Sequence, residues 1–177
     1  IDQAIALTQA PSVAHLNFAY GSNILSARLR QRVPGARLIG SATLRGHALR
    51  WHKVATDGSG KCDIVAAEPS SVVHGVLYVI PAHEKKHLDR AEGLGFGYEE
   101  MDVQVECRTK MLKATAYVAT MVDQGLLPFT WYRALVIAGA VEHGLPIAYV
   151  NGLRAIVAKL DADAQRHAHH IALAAHR

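Results

Sequence analysis

Asn17-Phe18-Ala19-Tyr20-Gly21-Ser22-Asn23-Ile24 runs from a short apolar strand through a glycine turn into a polar helix start. Such a turn can hold an anion. Glycine passes through backbone conformations closed to other residues, and the first N–H groups of a following helix have no acceptor in their own turn. Ser22 and Asn23 are both good capping types, so their side chains can bond the helix start or a bound carboxylate or oxyanion. The helix dipole adds about 0.3–1 kcal/mol to an anion placed there. A lone carboxylate is available in a second segment, Asp89-Arg90-Ala91-Glu92-Gly93, which a folded sheet can carry over the turn. Together the two segments suggest an enzyme. Taken singly, each also has an ordinary reading, as a plain strand-to-helix connection and as a solvated carboxylate at the end of a short helix.

A rival chemistry lies in His83-Glu84-Lys85-Lys86-His87, which satisfies the HExxH pattern. Histidines at i and i+4 on one helix can share a zinc ion, with Glu84 activating its water, as in a metallohydrolase. The two intervening lysines oppose this by crowding positive charge near a cation, and no third ligand stands out downstream. Gly93-Leu94-Gly95-Phe96-Gly97 follows a helix and precedes a strand, the reverse of a dinucleotide site, and reads as a turn shaping a pocket rim. Cys62 and Cys107 sit in no CxxC pair or nucleophile-like turn and fit inert cysteines of a reduced, cytoplasmic protein, with a bridge between them left open. His167, His169 and His170 read as an exposed face of an Ala-rich final helix. The net charge of +4 is a mild excess. Arg28-Arg30-Arg32 and Lys85-Lys86 read as solvated helix faces, since no aromatic interleaving accompanies them, and nucleic acid is not expected as a partner.

The elements that must position these residues follow from periodicity. Positions 14–20 read as a buried strand and 24–32 as a helix stopped by Pro34-Gly35. One long extended stretch is expected over 37–51, with Leu38, Ala42, Leu44 and Ala48 at even spacing and bends at Gly40 and Gly46. Strands follow at 62–67 and 72–80, then a short helix opened by Pro81 and ending at Glu92-Gly93. From 100 to 107, Met101, Val103, Val105 and Cys107 alternate with charged or polar neighbours, so one face is core and the other wet. The strand 112–120 continues in that style and turns Tyr117 toward a cleft. Thr130 caps a helix over 131–143, Gly144 ends it, Pro146 restarts it, and Asp161 or Asp163 caps the last one. Strands in the middle and helices at the end argue for one α+β domain over 1–177, built on a curved, largely antiparallel sheet. No stretch approaches the roughly 20 apolar residues of a membrane helix, so no membrane association is expected.

Phe18 through Ile24, Asp89 through Gly93, and Tyr132 with Gly139-Ala140 and Glu142-His143-Gly144-Leu145-Pro146 resemble, in that order, the gamma-glutamylcyclotransferase family. The resemblance covers most of the chain. It implies a small mixed, largely antiparallel β-barrel with surrounding helices, with the turn and Glu92 at one mouth. It also implies that Tyr20, Gly21, Ser22, Asn23 and Ile24 hold a γ-glutamyl group, with Ile24 standing in for the usual leucine. Glu92 would be the general acid/base, its pKa raised by partial burial from the ordinary value of about 4.3 toward roughly 6–7. Tyr98, Tyr117 and Tyr132 would line the site. No cofactor is implied. The expected reaction is cyclisation of a γ-glutamyl compound to 5-oxoproline with release of an amine, and Ser22-Asn23 favours the branch that acts on γ-glutamyl amino acids. A hydrolase of γ-glutamyl amides and a binding-only relative remain open, and the last helix could pack on its own domain or build a homodimer.

Overall fold

A computed structural model describes residues 14–175. The apolar run Val72–Ile80 forms β5, the hub of the sheet. It pairs antiparallel with β1 (His15–Ala19) on one side and β2 (Arg37–Arg45) on the other. Being covered on both faces, β5 buries Val73, Val76, Leu77, Tyr78 and Ile80 rather than alternating. β2 meets β6 (Tyr98–Cys107) over the short register Ala42 to Cys107, and β6 folds back along its full length on β7 (Lys110–Ala119). β7 returns parallel to β1 at Asn17 and Thr115, which closes a barrel in the order β1-β5-β2-β6-β7. This is the mixed, largely antiparallel barrel within an α+β fold. The alternation of β6 appears as expected, with Val103, Val105 and Cys107 buried.

The stretch over 37–51 is two strands, not one. Gly46, at φ +70, ends β2, and β3 (His47–Val54) leaves the barrel to pair with β4 (Gly60–Ala66) in a separate two-stranded sheet. A register shift between Leu38 and Gly40 also breaks the even spacing, leaving Leu38 exposed while Ala42 and Leu44 are buried.

Helices α1 (Ser26–Arg32), α2 (Lys85–Glu92), α3 (Thr130–Glu142), α4 (Ile147–Ala155) and α5 (Ala164–Ala175) pack around the barrel. Thr130 makes no side-chain cap, and its buried Oγ1 has no partner among the described residues. Asp163 does cap α5, through the Arg166 N–H at 2.9 Å. Asp161 instead accepts the Trp131 indole N–H and pairs with Arg166. The histidine face of α5 is not simply exposed: His170 stacks on Trp131, with ring centroids 4.1 Å apart. Burial, with Arg28 nearby, lowers its pKa to about 4, so it is neutral at neutral pH. That contact lays α5 on α3 of the same chain. Cys62 and Cys107 are both buried and unbridged. Among the described residues no helix is long and apolar enough to cross a membrane.

Candidate active site

β1 delivers the chain into the turn at Gly21. Its backbone there is φ −104° and ψ −142°, which other residues can reach, so torsion is not what demands glycine. Space does: a Cβ would lie 3.0 Å from the Tyr132 hydroxyl and 3.1 Å from the Cys62 Cβ. After Gly21 comes a single 3₁₀ turn, Ser22–Ile24, closed by the Ile24 N–H on the Gly21 carbonyl at 3.1 Å. Leu25 is extended, and only then does α1 begin, so the helix expected from residue 24 starts two residues later. The amides that open this turn precede its first acceptor, which is the donor arrangement an anion needs.

The turn is fixed from behind. Gly139 of α3 lets Leu25 approach so closely that a Cβ there would sit 2.4 Å from the Leu25 amide nitrogen. The Tyr78 hydroxyl donates to the Ile24 carbonyl at 2.9 Å. The Glu142 carboxylate, at the far end of α3, accepts the Ser26 N–H at 2.9 Å and so caps α1, whose own cap position is Leu25. Ser26 Oγ lies 3.2 Å from His143 Nε2, completing a polar clamp. Ile24 belongs to this rear side. It is fully buried and does not line the cavity, because the 3₁₀ turn points it into the core, so its part is packing rather than contact with a ligand.

The front of the turn opens on a cavity of about 360 Å³, counting the part open to solvent. Tyr20, Gly21, Ser22 and Asn23 line it together with Cys62, Tyr98, Tyr117 and Tyr132. Glu92 lines it as well. It is the last residue of α2, which Gly93 terminates in the left-handed conformation at φ 68°. Glu92 Oε1 accepts Asn23 Nδ2 at 2.5 Å and Arg32 Nη1 at 3.1 Å, and the same Nη1 donates to Asn23 Oδ1 at 2.9 Å. Ser22 and Asn23 thus make no side-chain cap. Ser22 Oγ accepts Arg28 Nε at 2.9 Å.

Arg28 and Arg32 are therefore not part of a solvated face, whereas Arg30 is exposed as expected. Arg28 is buried, and burial with Arg32 nearby lowers its pKa to about 10, while Arg32 bridges Asn23 and Glu92. Sequence reasoning missed both. A usable signal was their spacing of four, which sets them on one helix face with Leu29 between the two rows. Lys85 is likewise engaged, pairing with Asp89 and Glu100.

The tyrosines are held by the protein. Tyr20 donates to the Tyr117 carbonyl, Tyr98 to the Cys62 carbonyl at 2.7 Å, and Tyr117 to Asp89 at 2.6 Å. Tyr132 accepts the Cys62 N–H at 3.1 Å. Burial, first among several causes, pushes all four phenols up, so they stay neutral. Burial also pushes the Cys62 thiol up, to about 12, and it is no nucleophile.

The HExxH residues lie elsewhere. His83 and Glu84 fall in a 3₁₀ turn, Ala82–Glu84, ahead of α2, so His83 and His87 do not share one α-helix. Glu84 Oε2 accepts the Gly35 N–H at 2.9 Å. Among the described residues no group of three or more His, Cys, Asp or Glu side chains is placed to hold a metal ion.

Residues 72–153 match the model of the AIG2-like family. The chain is 30% identical over 147 residues to human gamma-glutamylcyclotransferase, spanning 80% of this chain and 78% of that protein. It belongs to the gamma-glutamylcyclotransferase family. The bovine gamma-glutamylcyclotransferase is 29% identical over the same length. A solved gamma-glutamyl cyclotransferase structure superposes with a TM-score of 0.78 at 26% identity, covering 87% of this chain and 97% of the other. Bacillus subtilis YkqA, 21% identical with a TM-score of 0.71 over 82% of this chain and 56% of its own, shares the fold. In this gamma-glutamylcyclotransferase fold, the Gly21 turn, after the end of β1, and Glu92, at the end of α2, line one cavity.

Proposed function

We propose that the protein is a gamma-glutamylcyclotransferase in activity as well as family, and that Glu92 is its acid/base. A γ-glutamyl compound carries its own nucleophile. Its α-amine can reach its γ-carbonyl, and once a proton is lost from the ammonium, the nitrogen bonds to the carbonyl carbon in a five-membered ring. The tetrahedral carbon then expels the attached amine, which takes up a proton, leaving 5-oxoproline. No metal, nucleotide or acyl-enzyme is needed to balance this.

The protein's task is to fold the substrate and move the proton. Holding a near-attack geometry can be equivalent to roughly 10⁵–10⁸ M effective concentration. Glu92 takes the ammonium proton and returns it to the leaving amine. Arg32 and Asn23 both bond Oε1, which fixes the carboxylate and leaves Oε2 to face the ligand. The amides of Gly21, Ser22 and Asn23 receive the substrate's negative oxygens, the developing oxyanion among them. Neutral Tyr20, Tyr98, Tyr117 and Tyr132 wall the cavity and exclude water from it. Two buried, unbridged thiols suit a reducing, cytoplasmic setting.

The observation that carries the reading is Asn23 Nδ2 bonded to Glu92 Oε1 at 2.5 Å, which ties the carboxylate to the donor turn in one cavity. Incubating the protein with γ-glutamyl-L-alanine and separating the products tests it. Stoichiometric 5-oxoproline and alanine are expected. Free glutamate would mean that water, not the internal amine, attacks, and no release at all would leave only a binding function.

A further inference from the structure

Next to the small cavity lies a larger groove of about 1080 Å³, open solvent included, and the two share Ser22, Glu92, Tyr98 and Tyr132 as a common wall. A substrate held by its glutamyl end in the cavity must send its leaving group into this groove. The groove is strongly cationic: Arg28, Arg32, Lys53, Lys61 and Arg90 line it, against the carboxylates of Asp57 and Glu92 alone. Two of the cations are satisfied internally, Arg32 by Glu92 and Lys61 by Asp57 at 2.8 Å. The other three form no ion pair among the described residues, although Glu92 is near enough to act on Arg28 and Lys53 through space. Arg28 meets only Ser22 Oγ and His170 Nδ1, and it is buried. Lys53 lies over the Tyr98 ring, 4.8 Å from its centroid, and burial lowers its pKa. Arg90 is exposed at the rim, and Phe96 and Met121 add apolar surface there.

Partly desolvated cations without an ion-pair partner, here Arg28 and Lys53, are costly to keep in a folded protein, and an arriving anion relieves that cost. We propose that this groove is the leaving-group subsite and that it selects γ-glutamyl conjugates whose leaving amine carries two or more carboxylates, such as a dicarboxylic amino acid or a short γ-linked glutamyl chain. The inference rests on the cyclotransferase reading and adds the charge of the leaving group to it. One carboxylate meets Arg28 beside the Ser22 turn, and the second meets Lys53 and Arg90 farther out. The methylene groups between carboxylates lie along Phe96 and Met121. Because Lys53 and Arg90 are close to solvent, the preference should weaken as salt shortens the range of the field to about 8 Å at 0.15 M and less above it.

Three conjugates matched in size decide the matter: γ-glutamyl-L-glutamate, γ-glutamyl-L-glutamine and γ-glutamyl-L-glutamine α-amide, whose leaving amines carry two, one and no carboxylates, with 5-oxoproline release measured at low and high salt. The expected order of kcat/KM is dicarboxylate over monocarboxylate over neutral amine, with roughly five- to tenfold at each step and smaller steps at 0.5 M salt. Lys53→Met and Arg90→Gln should each reduce the ratio of dicarboxylate to neutral turnover by about fivefold. A merely structural role would lower all three substrates together and leave that ratio alone. Equal kcat/KM for the three conjugates, or a preference for the uncharged one, overturns the subsite while leaving cyclisation intact. Failure to release 5-oxoproline from any of them, in protein with a cooperative melting transition, overturns the cyclotransferase reading and the subsite with it.

Discussion

The Gly21 turn has two sides built on opposite rules. Its rear is satisfied and tightly packed: Gly139 admits Leu25, Tyr78 bonds the Ile24 carbonyl, and Glu142 caps Ser26. Its front faces a cavity and groove in which a carboxylate, a run of amides and three cations that form no ion pair among the described residues stand near solvent. The difference teaches where stability and chemistry have been separated. Substitutions behind the turn should cost stability first, and those in front should cost turnover first.

Gly21→Ala breaks that separation most severely on the front side. A methyl group 3.0 Å from the Tyr132 hydroxyl makes the turn or Tyr132 give by a few tenths of an ångström, and since a 1 Å misplacement can cost about 10²-fold, a loss of roughly tenfold in rate is expected. Steady-state kcat/KM beside the melting temperature checks this, with activity falling far more than stability. Gly139→Ala is the rear counterpart. Its Cβ would strike main chain, not a flexible side chain, so a loss of about 1–3 kcal/mol in denaturant stability is expected, with turnover falling only as the folded fraction does.

A smaller rear effect is expected for Glu142→Gln, which keeps the acceptor shape but removes the charge at the start of α1. About 0.5–1 kcal/mol of stability should go, measured by urea unfolding, with kcat little changed. An effect of similar size, read from the pH dependence rather than at one pH, is expected from His170→Phe, which preserves the stack on Trp131 but cannot titrate. The His170 pKa is lowered in the fold to about 4, so between that value and its ordinary 6.5 the unfolded chain binds more protons than the folded one. Stability from this group is therefore full above pH 6.5 and is lost as pH falls toward 4. Discounted for its partial exposure, the effect is about 1 kcal/mol, and His170→Phe should show a correspondingly shallower decline in urea stability from pH 6.5 to 4.

How far the sequence could be read follows the same division. The alternation of β6 and the apolar run of β5 are local patterns that burial enforces, so both were legible. The turn and the Asp89–Gly93 segment were singled out by residue type and by the family resemblance, and the fold brings Gly21 and Glu92 to one cavity. What was hidden depends on packing between distant segments. Ile24 looked like part of the loop lining, yet the extended Leu25 turns it into the core. Arg28 and Arg32 looked like solvent-facing charge, because a spacing pattern does not say that α2 will bring Glu92 to the same helix face. Glycine at position 21 was anticipated for its torsional freedom, but it is the crowding by Tyr132 and Cys62 that requires it. Gly46 split an apparently continuous strand for the reverse reason, a left-handed torsion that spacing alone does not reveal.

The central claim is that one carboxylate, Glu92, moves the proton in ring closure without holding the fold together. Comparing 5-oxoproline release from γ-glutamyl-L-alanine by the wild-type protein and by Glu92→Gln, at matched folded concentration, tests it most directly. Glutamine retains an oxygen to accept from Asn23 and Arg32, so the melting temperature should stay within a few degrees. Release should fall by about 10²–10⁴-fold. A variant that still cyclises the substrate at nearly the wild-type rate would contradict the account.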